Sequence, residues 1–226
     1  MKAFFTTYQT QPPAIPFYLY VLMLFFLLFF IYTSLKYYRY PLYSKTFKII
    51  QGIQLFFLYS WYLLSAIPLS NSLPLYHCRL AMFALLFLPD KSRFKQYFAL
   101  MGASGALFAL GYPVFDPYDF PHITGFSFLL GHYCLLVNSL VYLMNYYDKQ
   151  LLEKYRIILL TFSLDLLLVG VNQLTGGNYG LMTHPPFIKG ENIFFNYLAV
   201  STILSAALLA LDEYFKKYWN KKADLI

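Results

Sequence analysis

Long apolar runs separated by short charged stretches set the pattern of the chain. Seven runs meet or approach the roughly 20 apolar residues a helix needs to cross a bilayer. They cover about 16–35, 47–68, 73–89, 97–113, 125–147, 155–174 and 193–211. The third and fourth are short, which suits an inner position or a locally thinned bilayer. In the fourth, Gly102/Ala106 and Gly105/Ala109 put small residues four apart, the spacing for close helix packing. Tyr37, Tyr38, Tyr40 and Tyr43 follow the first run beside Lys36 and Arg39, an aromatic belt with basic anchors. No repeat or low-complexity linker interrupts the series. The pattern predicts an all-α fold, a polytopic transmembrane helical bundle of seven spans forming a single domain over 1–226.

Composition agrees. The chain is 59% hydrophobic and 12% charged, where a soluble domain carries about 25% charged residues. The net charge of +7 therefore does not call for a nucleic-acid partner. In a membrane protein, excess Lys and Arg mark cytoplasmic loops and meet anionic lipid heads. Fourteen of the 17 basic residues fall in alternate connections: Lys36, Arg39, Lys45 and Lys48; Lys91, Arg93 and Lys95; Lys149, Lys154 and Arg156; Lys216, Lys217, Lys221 and Lys222. Lys2, Arg79 and Lys189 are left for the other side. Seven spans, with the N-terminus outside and the C-terminus cytoplasmic, explain that alternation. No cleavable signal peptide is expected, since only Lys2 precedes the first run and no small-residue cleavage site follows it. Cys78 and Cys134 both lie within apolar runs, so no disulfide is expected. The expected partners are membrane lipids and the expected location is a cell membrane, with no cofactor and no nucleotide-binding loop.

Polar residues inside such runs are costly and tend to be used. His77, Cys78 and Arg79 stand together at the mouth of the third run. All four histidines, His77, His122, His132 and His184, fall in the outer half of the predicted topology. Cys78 is about five residues into its run and His132 about seven into its own, so roughly 7–8 Å and 10 Å deep at 1.5 Å per residue. A thiol and an imidazole at matching depth suit acyl transfer: the imidazole takes the thiol proton, and the thiolate attacks an ester carbonyl. The outer connections are polar and proline-bounded, with Asp116, Asp119 and His122 in one and Asn178 and Tyr179 in a glycine-rich other. The working face is expected to be external. Arg79 suits thiolate stabilisation or a lipid phosphate, and equally suits snorkelling to the headgroups. Asn178 and Tyr179 suit a headgroup or an oxyanion, or plain turn chemistry. Asp165, near the middle of the sixth run, suits a proton relay or an orienter of His132, or a neutral, hydrogen-bonded acid facing Asn138 or another polar group. Cys134 suits packing.

Several of these residues also carry a resemblance. The Leu73-Pro74-Leu75 opening with Cys78-Arg79, then Phe120-Pro121-His122, Gly131-His132 and Gly177-Asn178-Tyr179, occur in order over about 60–200. Together they resemble the YwaF-like integral membrane proteins of bacteria, a group related to animal transmembrane protein 164. That resemblance implies a bacterial plasma-membrane protein. The animal relatives are implicated in acyl transfer onto lysophospholipids through a membrane Cys and His, roles that would fall on Cys78 and His132. The family pattern has a His two residues before the Cys. This chain has Tyr76 there, with His77 adjacent.

Three functions fit these residues. The first is a lipid acyltransferase or acyl hydrolase at the outer leaflet, with Cys78 as nucleophile, His132 as base, and His77, Arg79, His122, Asn178 and Tyr179 around the substrate. The second is a lipid- or solute-binding or transport protein with a polar external pocket and no covalent chemistry. The third is a metal-dependent lipid hydrolase using Asp116, Asp119 and His122 with His132 or His184, although their spacing matches no strong metal motif and no bound metal is expected.

Overall fold

The computed structural model describes residues 3–186, 190 and 192–223. Lys2 and Lys189, two of the three basic residues assigned to the outer side, lie outside the described residues. The regular structure among the described residues is helical, with no strand among them. The helices are α1 (Phe17–Tyr37), α2 (Pro41–Leu64), α3 (Leu69–Ser72), α4 (His77–Phe87), α5 (Arg93–Gly111), α6 (Ile123–Tyr146), α7 (Lys154–Thr175) and α8 (Ile193–Ala223), with a 3-10 turn at Tyr179–Leu181.

Four of the described helices, α1, α6, α7 and α8, are long and apolar enough to cross a membrane. The other three predicted spans differ for separate physical reasons. α2 has 24 residues, but Lys45, Lys48, Gln51 and Gln54 dilute its apolar character. It starts at Pro41, where a proline at the first helical position gives up no helical hydrogen bond. α5 has 19 residues and opens on Arg93, Lys95 and Gln96. The predicted run 73–89 breaks up. Leu73 and Tyr76 are extended, with Pro74 between them, and Leu88 is extended ahead of Pro89. That leaves α4 only 11 residues, about 16 Å of helix at 1.5 Å per residue, against a hydrocarbon core of about 30 Å.

The chain divides into two compact units, Met1–Ile67 with Gly105–Asn145, and Pro68–Ser104 with Tyr146–Ile226. In the first, Gln51 donates to Gln54, which donates in turn to Ser127, so the buried polar face of α2 meets α6. The Tyr133 hydroxyl donates to the Met23 carbonyl and ties α6 to α1. Leu58, Trp61, Tyr62, Tyr118 and Ile123 form an aromatic-rich core there. The N-terminal segment is stitched onto that core: Ile123 N–H donates to Phe4 O, Trp61 Nε1–H to Phe5 O, and His122 Nε2–H to Thr6 O.

In the second unit α7 packs on α8. Each turns an unexpected stripe inward. On α7 the buried positions are Ile157, Thr161, Asp165, Leu168 and Asn172. On α8 they include Asn196, Ser201, Ser205, Leu208, Asp212 and Phe215. Spacings of three and four place the α7 set on one helix face, and likewise Ser201 to Phe215 on α8, and that face is the polar one. The large apolar residues Leu159, Leu166, Leu167 and Ile203 point outward. This is the pattern a bilayer favours, since polar groups in hydrocarbon must find protein partners.

Candidate functional site

His77, Cys78 and Arg79 are the first three residues of α4, after Tyr76 in extended conformation (φ −68°, ψ 139°). The leading N–H groups of a helix have no helical acceptor and carry a partial positive charge. Cys78 is a free, part-buried thiol in that turn. The Arg79 guanidinium lies over the Tyr76 ring, 5.1 Å from its centre, and the Tyr76 ring meets Tyr179 edge-on at 5.1 Å. Arg79 is thus docked on an aromatic pair beside the thiol.

The imidazole of His77 turns to α7. Its Nε2–H donates to Oδ1 of Asp165 at 2.6 Å, and Ser201 Oγ on α8 donates to Oδ2 at 2.8 Å. Asp165 has no exposed surface, while the His77 side chain keeps 15% of its own. Both carboxylate oxygens therefore have partners, which is what makes a carboxyl tolerable at membrane depth. One helical turn before Asp165, Thr161 Oγ1 pairs with the Tyr97 hydroxyl at 2.9 Å and donates to the Ile157 carbonyl.

The loop after α7 closes over this arrangement. α7 ends on Gly176 in the left-handed region (φ 70°), and the Gly176 N–H donates to Asn172 O. The Asn172 side chain then grips Tyr179 from both sides: Tyr179 N–H donates to Oδ1 at 2.7 Å, and Nδ2 donates to Tyr179 O at 2.8 Å. The Tyr179 hydroxyl accepts from Leu73 N–H at 2.9 Å and donates to Leu69 O at 2.5 Å. Burial pushes that phenol up, against the opposing pull of the Leu73 amide and Arg79. Gly180, at φ 68°, backs directly onto the imidazole: a Cβ there would stand 3.0 Å from Cε1 of His77. Asn178 is occupied by its own loop, its Oδ1 accepting from the N–H groups of Thr183 and His184 and its Nδ2 donating to His184 O.

In the first unit, His132 Nδ1–H donates to Phe128 O at 2.7 Å, which leaves Nε2 as the basic nitrogen of the neutral ring. His122 is 1% exposed. Its ring stacks on Tyr118 at 4.1 Å and meets Trp61 edge-on, Nε2–H donates to Thr6 O, and Nδ1 accepts from Thr124. Burial pulls this imidazole below its ordinary value, outweighing the Thr6 carbonyl and Asp116, which act the other way. Both nitrogens serve the fold. Asp119 is exposed and accepts from the Thr10 hydroxyl. Among the described residues no three His, Cys, Asp or Glu side chains are placed to hold a metal ion. A cavity of about 500 Å³ lies between the lead-in to α1 and the start of α6, with Pro16, Leu19, Met23, Phe115, Phe120 and Leu129 among its mostly apolar walls.

The structure thus gathers His77 and Asp165, with Cys78, Arg79, Tyr179 and the Asn178 loop nearby in the same unit. Asp165 finds its partners in His77 and Ser201, polar groups other than Asn138. It meets His77 rather than His132, and Asn138 instead donates to Phe47 O. Cys78 is the second residue of α4, whereas His132 is the tenth of α6, so the two do not share the matching helix depth expected of them. Ser201 joins the site from α8, on an inward spacing Ser201, Ser205, Leu208, Asp212 that is visible in the sequence.

A family model described as the TMEM164 family matches residues 4–212, well beyond the stretch that carries the motifs. No curated protein and no solved structure matches the chain.

Proposed function

The chain belongs to the TMEM164 family, and on that premise we propose that it is an integral membrane enzyme transferring or hydrolysing lipid acyl chains. Cys78 is the nucleophile and His132 the base. The thiol attacks a phospholipid ester while the base takes its proton. The proton passes to the departing lysolipid oxygen, and a thioester remains on Cys78. A second hydroxyl, from a lysophospholipid or water, then takes the acyl group. The observation that carries this reading is Cys78 as a free, part-buried thiol in the first turn of α4, next in the chain to the Arg79 guanidinium. The tautomer of His132 set by Phe128 O supports a base acting through Nε2. Seven spans with the N-terminus outside, and a bacterial plasma membrane as the setting, complete the proposal and put the chemistry at the outer leaflet.

A lipid-like electrophile tests it. Wild-type protein is expected to label on Cys78, more slowly at acid pH and in His132→Ala, and not at all in Cys78→Ala. Labelling of Cys134 with Cys78 silent would refute it. The apolar cavity of the first unit favours a second function, lipid capture without covalent chemistry. In that case Cys78→Ser leaves lipid retention and turnover unchanged.

A further inference from the structure

The pair at His77 and Asp165 has the form of a catalytic base. Resting on the thioester reading above, we infer that His77, oriented by Asp165, deprotonates the acceptor hydroxyl that removes the acyl group from Cys78. Asp165 binds Nε2, so in the neutral ring the proton sits there and the lone pair is on Nδ1. Nδ1 has no hydrogen-bond partner among the described residues, and the side chain is part-exposed while its carboxyl partner is fully buried. A histidine serving only to neutralise Asp165 needs no open nitrogen. Ser201 holds the other carboxylate oxygen, and Gly180 backs the ring, so the direction of Nδ1 is fixed from two sides.

The position of His77 also decides which proton it handles. His77 and Cys78 are consecutive in α4, so their side chains leave the helix about 100° apart. That divergence suits a hydroxyl entering between ring and thioester better than direct abstraction of the thiol proton. In the step, the acceptor O–H bond breaks and its proton moves to Nδ1. The oxygen forms the new ester bond to the acyl carbon, and the C–S bond breaks to give thiolate. Nδ1–H then returns its proton to the sulfur, which restores the neutral ring and the thiol. Asp165 stabilises the transient imidazolium through Nε2–H and stays a positioning residue.

The experiment is a quenched time course on full-length protein in phosphatidylcholine vesicles, with lysophosphatidylcholine as acceptor and the Cys78 adduct followed by intact mass. His77→Gln and Asp165→Asn are expected to form the adduct and keep it. Release should be slowed about 10²-fold or more in His77→Gln, the usual scale of general-base catalysis. Imidazole added to His77→Ala should speed release, a rescue that a purely structural role does not give. Release at the wild-type rate in both variants overturns the inference, as does a folded His77→Gln that never forms the adduct. A wild type with no adduct instead refutes the thioester reading beneath it, so the two failures are distinct. If His77→Gln fails to fold, Asp165→Asn, which keeps the size and one acceptor of the carboxyl, decides the matter by the same release rate.

Discussion

Gly180→Ala puts the geometry around His77 under direct load. Gly180 has φ 68° and ψ 6°, a region that costs a residue with a Cβ about 1–2 kcal/mol. The new methyl would also stand 2.8 Å from Leu168 Cδ1, 3.0 Å from His77 Cε1 and 3.1 Å from Met182 Cε. Leu168 and Met182 are fully buried, so they cannot swing away freely, and overpacking of this kind costs about 1–3 kcal/mol. The expected total is about 2–5 kcal/mol. Two other glycines separate the components. Gly176 shares the positive φ but has open space around its Cβ position, so Gly176→Ala should cost only the backbone part, about 1–2 kcal/mol. Gly170 lies within α7 with nothing near its Cβ position, and Gly170→Ala should stabilise by about 0.5–1 kcal/mol. The assay is denaturant unfolding of the full-length protein in one detergent, all three variants side by side. Gly180→Ala no worse than Gly176→Ala would refute the close packing of the loop on the imidazole.

Three more outcomes follow from the same contacts. Asp165→Ala strands both His77 and Ser201 and should lose about 3–5 kcal/mol by unfolding, whereas Asp165→Asn should lose about 1–3 kcal/mol; equal losses would contradict the bonding described. Tyr179→Phe removes the acceptor for Leu73 N–H and the donor to Leu69 O, so about 1–3 kcal/mol should disappear, with no change in Asn172→Ala beyond its own grip on the loop. His122 is held neutral by burial below its ordinary value of 6.5. The unfolded chain therefore takes up a proton before the folded one does, and stability that is full above that value falls as the pH drops through it. Thermal unfolding between about pH 7 and pH 5 should show this slope in the wild type and a shallower one in His122→Gln.

The long helices were legible because each is a single uninterrupted run. Predicted 125–147 became Ile123–Tyr146, and 155–174 became Lys154–Thr175. α8 runs on past 211 because Asp212 and Phe215 continue its inward stripe, with Tyr147 donating to Asp212 and Lys216 pairing with it. The third run misled because hydropathy does not register backbone geometry: Pro74 and Pro89 bracket the helix, and four residues at its start are not helical. At the site, the residue types were visible and the partnerships were not. His77 and Asp165 are 88 positions apart, and no local pattern tells which histidine a buried carboxyl will meet. His122 looked available in a polar loop, but its neighbours Tyr118 and Thr124 and the distant Thr6 use it for packing and hydrogen bonding. The inward faces of α7 and α8 held the missing signal, since Thr161, Asp165, Asn172, Ser201 and Ser205 fall on helical spacing.

The central claim is a thioester on Cys78, and intact-protein mass spectrometry tests it most directly. Wild type, Cys78→Ala and His132→Ala are purified with native lipids and incubated with phospholipid. The account predicts a mass increase of one acyl chain on wild type, absent in Cys78→Ala and slower to appear in His132→Ala. Lipid retained alike by all three proteins, with no covalent adduct on any, would contradict it.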